Sequence, residues 1–250
     1  MKTIAKYFSI FTVFFLLISC AGGSKTQKQD KAVSIEDHFQ LAYSAAERGN
    51  LEEAVSEYKK VLKLDSKNAK AHLNLGIAYG RQGKWKKEIA EYEKAIRVDS
   101  NFAEAHFNLG VAHYERGNFK EAMTHYQKSL QIYPNYIEAH TNLGVIYFRK
   151  GMLDKALTEY QKAIDIKSDY AKGYYNIGSV YRQNGNIEEA ITSFQKALEI
   201  DPKYAEAHYA LVVIYSERQE FKLAIEHSDQ AVKLGILVDP KLLERLKPYR

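Results

Sequence analysis

From Ile35 to Val238 the sequence repeats itself every 34 residues, without an insertion or deletion. A fixed period of this length is typical of solenoid proteins, in which each repeat buries its apolar face against its neighbours. The period therefore constrains the fold more than composition does, although 46% hydrophobic residues do exclude disorder over most of the 250-residue chain. The six blocks begin at Ile35, Ala69, Ala103, Ile137, Ala171 and Ala205.

Small and large apolar residues recur at fixed positions within the blocks and predict two helices per block. Position seven is Leu or Ile throughout, and position eight is Gly in blocks two to five. Position twenty is Ala in five blocks, and position twenty-four is Tyr or Phe in five. Spacings of three and four mark one face of a helix. We expect the small residues to lie where two helices cross and the large ones to fill the space beside them.

This pattern resembles the tetratricopeptide repeat (TPR) family over about four-fifths of the chain. The resemblance implies an all-α superhelical solenoid of six helix-turn-helix repeats spanning residues 35–238, whose first helices line a concave face. Residues 239–250 are expected to form a C-terminal capping helix, because Leu242, Leu243 and Leu246 share one helical face. Ser34 and Asp37 suit the N-cap of the first helix.

Residues 1–19 have the order of a bacterial export signal, with Lys2 and Lys6 before an apolar run that ends at Ile18. The last residues of this segment, together with Cys20, resemble a lipobox, and Cys20 is the only cysteine. We therefore expect cleavage, lipidation of Cys20, and a polar tether over residues 20–34. An uncleaved anchor or an ordinary signal peptide is the alternative. Ala21 after the cysteine favours the outer membrane, facing the periplasm.

Charge and motif content argue against several function classes. Without Lys2 and Lys6 the chain has 34 basic and 31 acidic residues, so the net charge falls from +5 to +3. The two signs are interleaved, with no basic stripe for nucleic acid. The sequence has no Gly-rich phosphate loop, no Gly-x-Ser-x-Gly elbow and no HExxH motif. We therefore expect neither enzyme activity nor a cofactor.

Three further features depart from the repeat pattern or raise a metal hypothesis. Position four is His in five blocks, but equal positions of stacked repeats stand about 10 Å apart, too far to share a metal. We expect these imidazoles to pack against the neighbouring helix with a hydrogen bond at the ring edge. The five histidines are His38, His72, His106, His140 and His208.

Glu88 occupies position twenty, where the other blocks have a small residue, and needs a partner such as a nearby Lys, or a locally looser crossing. Trp85 shares a column of apolar residues and is expected in the core.

Position six suggests a binding groove, because blocks two to five carry Asn there. A carboxamide donates and accepts hydrogen bonds at once and so suits an extended peptide backbone. The row resembles the asparagine ladder in the TPR half of O-linked N-acetylglucosamine transferase. Alternatively, Asn simply suits a polar helix face, and part of the aromatic row packs between repeats. The predicted groove residues are Asn74, Asn108, Asn142, Asn176, Phe107, Tyr175, Tyr209, Tyr114, Phe148, Arg81, Arg149 and Arg182.

The resemblance and the export signal together predict a protein–protein interaction scaffold or assembly factor at the bacterial cell envelope. It would bind segments of envelope proteins in the concave groove and hold to the membrane through its lipid anchor. A TPR lipoprotein of this size is similar to the pilotins that help a type IV pilus secretin assemble, and more loosely to adaptors of peptidoglycan hydrolases. The competing interpretation is a structural protein that self-associates. The sequence leaves the partner and the oligomeric state open.

Overall fold

The computed structural model describes residues 34–250, and these residues form helices and turns without a strand. The expected signal peptide, Cys20 and nearly all of the tether lie outside the described residues. Six helix pairs and a short closing segment follow one another along the chain. The helices are α1 (Ile35–Glu47), α2 (Leu51–Leu64), α3 (Ala69–Arg81), α4 (Trp85–Val98), α5 (Ala103–Glu115), α6 (Phe119–Ile132), α7 (Ile137–Arg149), α8 (Leu153–Ile166), α9 (Ala171–Gln183), α10 (Ile187–Ile200), α11 (Ala205–Glu217), α12 (Phe221–Lys233) and α13 (Pro240–Leu246), followed by a 3₁₀ turn, Lys247–Tyr249.

In pairs two to five the two helices cross closely because a glycine at position eight faces an aromatic ring at position twenty-four. A Cβ at Gly110 would lie 2.7 Å from Tyr126 Cε1, and one at Gly144 would lie 2.6 Å from Tyr160 Cε1. Both rings are at most 2% exposed. The fold class predicted from the repeat, an all-α TPR solenoid, is confirmed.

The hydrophobic core is divided among neighbouring pairs. One apolar cluster joins α1 and α2 to α3, the next joins α3 and α4 to α5, and this arrangement continues to the last pair. Each cluster contains Ala at the crossings and Leu, Ile or Tyr between them, as ridges-into-grooves packing requires. Each helix pair is therefore held by its immediate neighbours, which is the arrangement of a linear repeat array.

The two ends of the array are closed in different ways. At the N-terminus, Ser34 Oγ accepts a hydrogen bond from the Asp37 backbone N–H at 3.1 Å, and the Ser34 N–H donates to the Asp37 carboxylate at 3.0 Å. The predicted N-cap is thus confirmed. At the C-terminus, α13 covers the last pair with Leu246, which is fully buried, and Tyr249 stacks on Phe221 at 3.9 Å between ring centroids.

Within residues 34–250, every helix is too short or too polar to cross a bilayer.

Candidate peptide-binding groove

The first helices of the pairs form the inner side of the array. Helix α1 contacts α3, and α3 contacts α5, more extensively than any two neighbouring second helices contact each other. A row of helices whose members approach each other on one side curves toward that side. The TPR resemblance predicts that the first helices line the concave face, and the contacts of α1 with α3 and of α3 with α5 agree with that prediction. The first helices carry the residues that the sequence assigned to a groove.

The four asparagines of position six are half-buried and lie in line on this face. The side chains of Asn74 and Asn108 donate to carbonyls one turn earlier in their own helices, at 2.9 and 2.8 Å. The Asn142 amide donates to the Tyr126 hydroxyl at 3.3 Å. The Asn176 amide nitrogen is buried and has no hydrogen-bond partner among the described residues. A ligand can meet this unpaired donor only if the Asn176 side chain rotates toward the surface.

The aromatic residues assigned to the groove divide into one buried ring and four half-buried ones. Phe107 is only 7% exposed, because its ring packs against Tyr136 at 4.6 Å and Tyr126 at 5.8 Å between centroids. Phe107 thus belongs to the core between repeats, and we remove it from the groove. The half-buried rings are Tyr114, Phe148, Tyr175 and Tyr209. Of these, Tyr175 packs between repeats as Phe107 does, with ring centroids 5.2 Å from Tyr204 and 5.6 Å from Phe194.

The groove arginines are exposed, and each already contacts the adjacent first helix. Arg81 Nη1 donates to the Ala46 carbonyl at 2.7 Å, and Arg149 Nη1 donates to the Tyr114 hydroxyl at 3.1 Å. Arg182 Nη2 lies 3.9 Å from a Glu217 carboxylate oxygen. These side chains cross-link successive first helices along one rim of the groove. Their N–H groups beyond these contacts remain available to a bound segment.

The histidines of position four bond to the second helix of their own pair. In the fourth pair, His140 Nδ1 lies 2.6 Å from Glu159 Oε2, His140 Nε2 lies 2.8 Å from the Pro134 carbonyl, and Lys162 Nζ lies 2.9 Å from Glu159 Oε1. Burial raises the pKa of Glu159, but the hydrogen bonds from His140 and Lys162 outweigh it and leave the pKa below its ordinary value. The same three-residue set recurs as His38, Glu57, Lys60 and as His72, Glu91, Lys94.

The third and sixth pairs replace the carboxylate of this set by a second histidine. His106 Nδ1 lies 3.2 Å from His125 Nδ1, and His208 Nδ1 lies 2.9 Å from His227 Nδ1. Burial, and then the nearby His106 and His113, lower the pKa of His125 to about 4. Reading position four together with position twenty-three, a constant nineteen residues later, would have revealed both pairs from the sequence. Across residues 34–250, no three metal-binding side chains converge on one point.

Glu88 is buried at the crossing of the second pair and is paired with Arg116, not with a lysine as expected. Arg116 Nη2 lies 2.8 Å from Glu88 Oε2. Desolvation raises the pKa of this carboxyl, and the Arg116 charge partly offsets the effect. Room for the carboxylate comes from Gly80, where a Cβ would lie 2.6 Å from Glu88 Oε1. Gly80, which has no side chain at position twelve, thus makes room for the long side chain of Glu88 at position twenty.

Trp85 is not in the core, contrary to the sequence-based expectation, and is 47% exposed. It is the first residue of α4, at the end of the pair, where one ring face lies under Arg116 with 5.4 Å from the guanidinium carbon to the ring centroid. A neighbouring repeat covers the middle of a helix better than its first residue. The column of position seventeen is therefore only partly buried.

Comparison with known proteins agrees with the geometry. A family model described as "TPR repeat" matches residues 43–83, 81–117, 112–151, 146–185 and 178–219. Among solved structures, MamA is 31% identical over 69% of this chain and 94% of its own, with a TM-score of 0.60. YrrB, described as a TPR protein with an unusual peptide-binding site, is 26% identical over 73% of this chain and 94% of its own, also with a TM-score of 0.60.

The pilF protein of Pseudomonas aeruginosa covers 86% of this chain and 97% of its own with a TM-score of 0.74. At 19% identity, that likeness concerns the fold alone. No protein of curated function matches the sequence.

Proposed function

This chain belongs to the tetratricopeptide repeat family, and we propose from that premise that it is an interaction scaffold or assembly factor of the bacterial cell envelope. It binds an extended segment of a partner protein along the concave face of its first helices. The observation that carries the proposal is the row of four half-buried asparagines on the first helices, flanked by half-buried rings. The Asn176 amide has no partner among the described residues and would gain one if its side chain rotated toward a carbonyl of the bound segment.

The spacing of the asparagines supports an extended ligand. Stacked first helices repeat about every 10 Å, whereas an extended chain rises about 3.3 Å per residue. Each asparagine would therefore meet about every third residue of the segment. Near the asparagines, the half-buried rings of Tyr114, Phe148 and Tyr209 could contact side chains of the bound segment. The description of YrrB as a peptide-binding TPR protein is consistent with this use of the fold.

Attachment to the membrane is the second part of the proposal and rests on the sequence alone. Lipidation of Cys20 would hold the chain at the outer membrane, facing the periplasm, with residues 21–34 as a tether. The partner would then be an envelope protein. A secretin, with this chain acting as its pilotin, and a peptidoglycan hydrolase are the two partner classes that the sequence suggested.

The covered C-terminal end of the array speaks against the competing function, in which copies stack end to end into a structural polymer. Inner pairs dock through positions three and ten, which hold small or apolar residues in blocks two to six. In the first block these positions are Asp37 and Ser44, both exposed. The opposite end is covered by α13 of the same chain. The first helix still exposes Ile35, Leu41 and Tyr43, so the N-terminal end is only partly polar, whereas α13 blocks the C-terminal end against a further repeat.

Site-specific photo-crosslinking in envelope extracts tests the groove. A photoreactive residue at Phe148, on the concave face, is expected to capture a partner, whereas one at Gln161, exposed on α8, should capture none. Asn142→Ala together with Asn176→Ala should abolish capture. Asn101→Ala with Asn135→Ala, which changes two exposed asparagines between helix pairs, serves as the matched control. Equal capture from Phe148 and Gln161, or capture that survives the groove variant, would overturn the proposal.

A further inference from the structure

The turns that join the two helices of each pair lie in a row along one edge of the array. Contacts between successive turns show this alignment. The Gln82 side chain donates to Glu52 at 3.3 Å, Arg116 lies over Trp85, and Arg149 lies over Phe119 at 5.0 Å from the ring centroid. We call this row the hairpin edge; it comprises residues 47–54, 81–88, 115–122, 149–156, 183–190 and 217–224.

The middle of the hairpin edge is strongly basic. Residues 81–88, 115–122 and 149–156 contain nine Lys or Arg and four Asp or Glu. One of the four acids, Glu88, is buried and paired with Arg116. The three outer turns contain three basic and seven acidic residues. On the opposite edge, residues 65–70, 99–104, 133–138, 167–172 and 201–206 contain five basic and seven acidic residues. The positive charge is therefore confined to one stretch of one edge.

Exposed apolar side chains lie within the same stretch. Trp85, the only tryptophan of the chain, is 47% exposed between Lys84, Lys86 and Lys87, all three of them exposed. Lys86 Nζ lies 5.3 Å from the indole centroid. Two turns further along, Met152 is 43% exposed beside Lys150. The indole of Trp85 and the thioether of Met152 thus lie exposed next to lysines, and no other side chain among residues 34–250 buries them.

We propose that the basic stretch of the hairpin edge is a contact surface for an anionic phospholipid bilayer. Trp85 and Met152 enter the headgroup region, and the lysines and arginines pair with lipid phosphates. Indole is the side chain that most favours the membrane–water interface, and lysines keep their charge at the phosphates while their stems lie in apolar surroundings. Successive turn tips contact one another, so their cations lie along one continuous edge. An anionic bilayer offers phosphates along the whole of such an edge.

Vesicle binding of residues 34–250 tests this surface apart from any lipid anchor. These residues contain every helix pair, the N-terminal capping box and the closing helix, and so form a complete folding unit. Because Trp85 is the sole tryptophan, its emission reports directly on the proposed contact. Vesicles of phosphatidylcholine with phosphatidylglycerol are expected to sediment the protein and shift Trp85 emission to the blue. Vesicles of pure phosphatidylcholine should do neither, and raising the salt concentration should weaken the binding.

Charge variants distinguish the hairpin edge from a general attraction of the chain to lipid. Lys84→Gln, Lys86→Gln and Lys87→Gln together should weaken binding to the anionic vesicles roughly 100-fold. Changing the same number of exposed lysines on the opposite edge, Lys67, Lys167 and Lys203, to Gln should leave it unchanged. An unaltered urea midpoint shows that each variant is folded.

Three results would overturn the proposal: no sedimentation with anionic vesicles, sedimentation without a shift of Trp85 emission, and equal losses in the two lysine variants. Binding to an acidic polypeptide such as polyglutamate, in the absence of vesicle binding, would assign the surface to an acidic protein instead.

Discussion

The Nδ1 atom of His106 lies 3.2 Å from the Nδ1 atom of His125, at the place where the second and fourth pairs have a carboxylate. His106 Nε2 also faces the Ser100 carbonyl at 3.3 Å, so this nitrogen carries a proton and Nδ1 of the neutral ring accepts from His125. His140, by contrast, faces an oxygen at both nitrogens, Glu159 Oε2 and the Pro134 carbonyl. The histidine of position four thus faces a carboxylate in the fourth pair and a second imidazole in the third.

Acid should therefore destabilise the third pair before it affects the His–Glu pairs. Burial lowers the pKa values of His106 and His227, and that of His125 falls to about 4. The unfolded chain, with histidine pKa values near 6.5, binds more protons than the native state in this range. Stability is complete above about pH 6.5 and falls as the pH drops toward 4. We expect a loss of about 2 kcal/mol from His125 in urea unfolding.

His125→Glu provides the control for this pH dependence. It recreates the arrangement of the fourth pair, with Lys128 in the place of Lys162. The variant should lose much less stability between pH 6.5 and 4 than the parent does. His227→Glu should act in the same way on the sixth pair. An unchanged pH profile in His125→Glu would show that the histidine pair is not the source of the acid sensitivity.

Removing Arg116 should destabilise the fold more than removing the whole ion pair. Arg116→Ala leaves the Glu88 carboxylate buried at the crossing without a counter-charge and is expected to destabilise the protein by about 2–3 kcal/mol. The double variant Arg116→Ala with Glu88→Ala restores the alanine found at position twenty in the other blocks and should recover part of that loss. Urea unfolding of both single variants and the double variant gives the coupling energy. A double variant less stable than Arg116→Ala would contradict this account.

Gln219→Gly should stabilise the protein by about 1 kcal/mol. Gln219 has φ = 63°, the left-handed region that the other five turns fill with glycine. Replacing it with glycine removes the steric strain, although it adds freedom to the unfolded chain. Thermal unfolding measures the gain. The reciprocal change Gly185→Ala, at φ = 83°, should destabilise the protein. A lower stability of Gln219→Gly would mean that the glutamine contributes an interaction that offsets its strain.

Gly110→Ala should destabilise the third pair by about 1–3 kcal/mol, the usual effect of overpacking a core. The new Cβ would lie 2.7 Å from Tyr126 Cε1 and 3.3 Å from the Ala122 carbonyl oxygen, so the helices must separate. Adding Tyr126→Phe leaves the ring in place and should not relieve the clash. Adding Tyr126→Leu should relieve part of it. Equal stability of Gly110→Ala and the parent in urea unfolding would show that the crossing is looser than these distances indicate.

The repeat period predicted the helix pairs well because a core position depends mainly on which face of its own helix a residue occupies. Trp85 and Phe107 show where this reasoning ends. The sequence placed Trp85 in the core and Phe107 on the surface, and the structure has the reverse. Phe107 is covered by Tyr136, which lies outside the helices. Trp85 lies at a helix end, where the charged side chains of Arg116 and Lys86 contact its ring and leave it half exposed. Aligning equal positions of the repeats does not show when a side chain is buried by a residue at a different position of a neighbouring repeat.

The groove was predictable in outline but not in its hydrogen bonds. Position six placed the four asparagines in line, but the direction of each amide depends on the side chain beside it. Asn142 reaches the hydroxyl of Tyr126 in the preceding pair. The equivalent residue for Asn176 is Tyr160, which also has a hydroxyl group, so the sequence does not explain why the Asn176 amide nitrogen is unpaired. The arginines, likewise, were predicted to contact a ligand. Arg81 and Arg149 bond instead to the first helix of the preceding pair, and Arg182 lies beside Glu217 of the following pair.

The division of the core into a separate cluster for each interface has a consequence for how the protein exchanges its amide hydrogens. A pair at the end of the array is held on one side only, so it can open without disturbing the middle. Protection should therefore be lowest in α1 and α2 and rise toward the central helices. A segment bound along the whole concave face would have to hold the end pairs closed. In the complex, slow amide exchange should extend further toward α1 when the bound segment is longer.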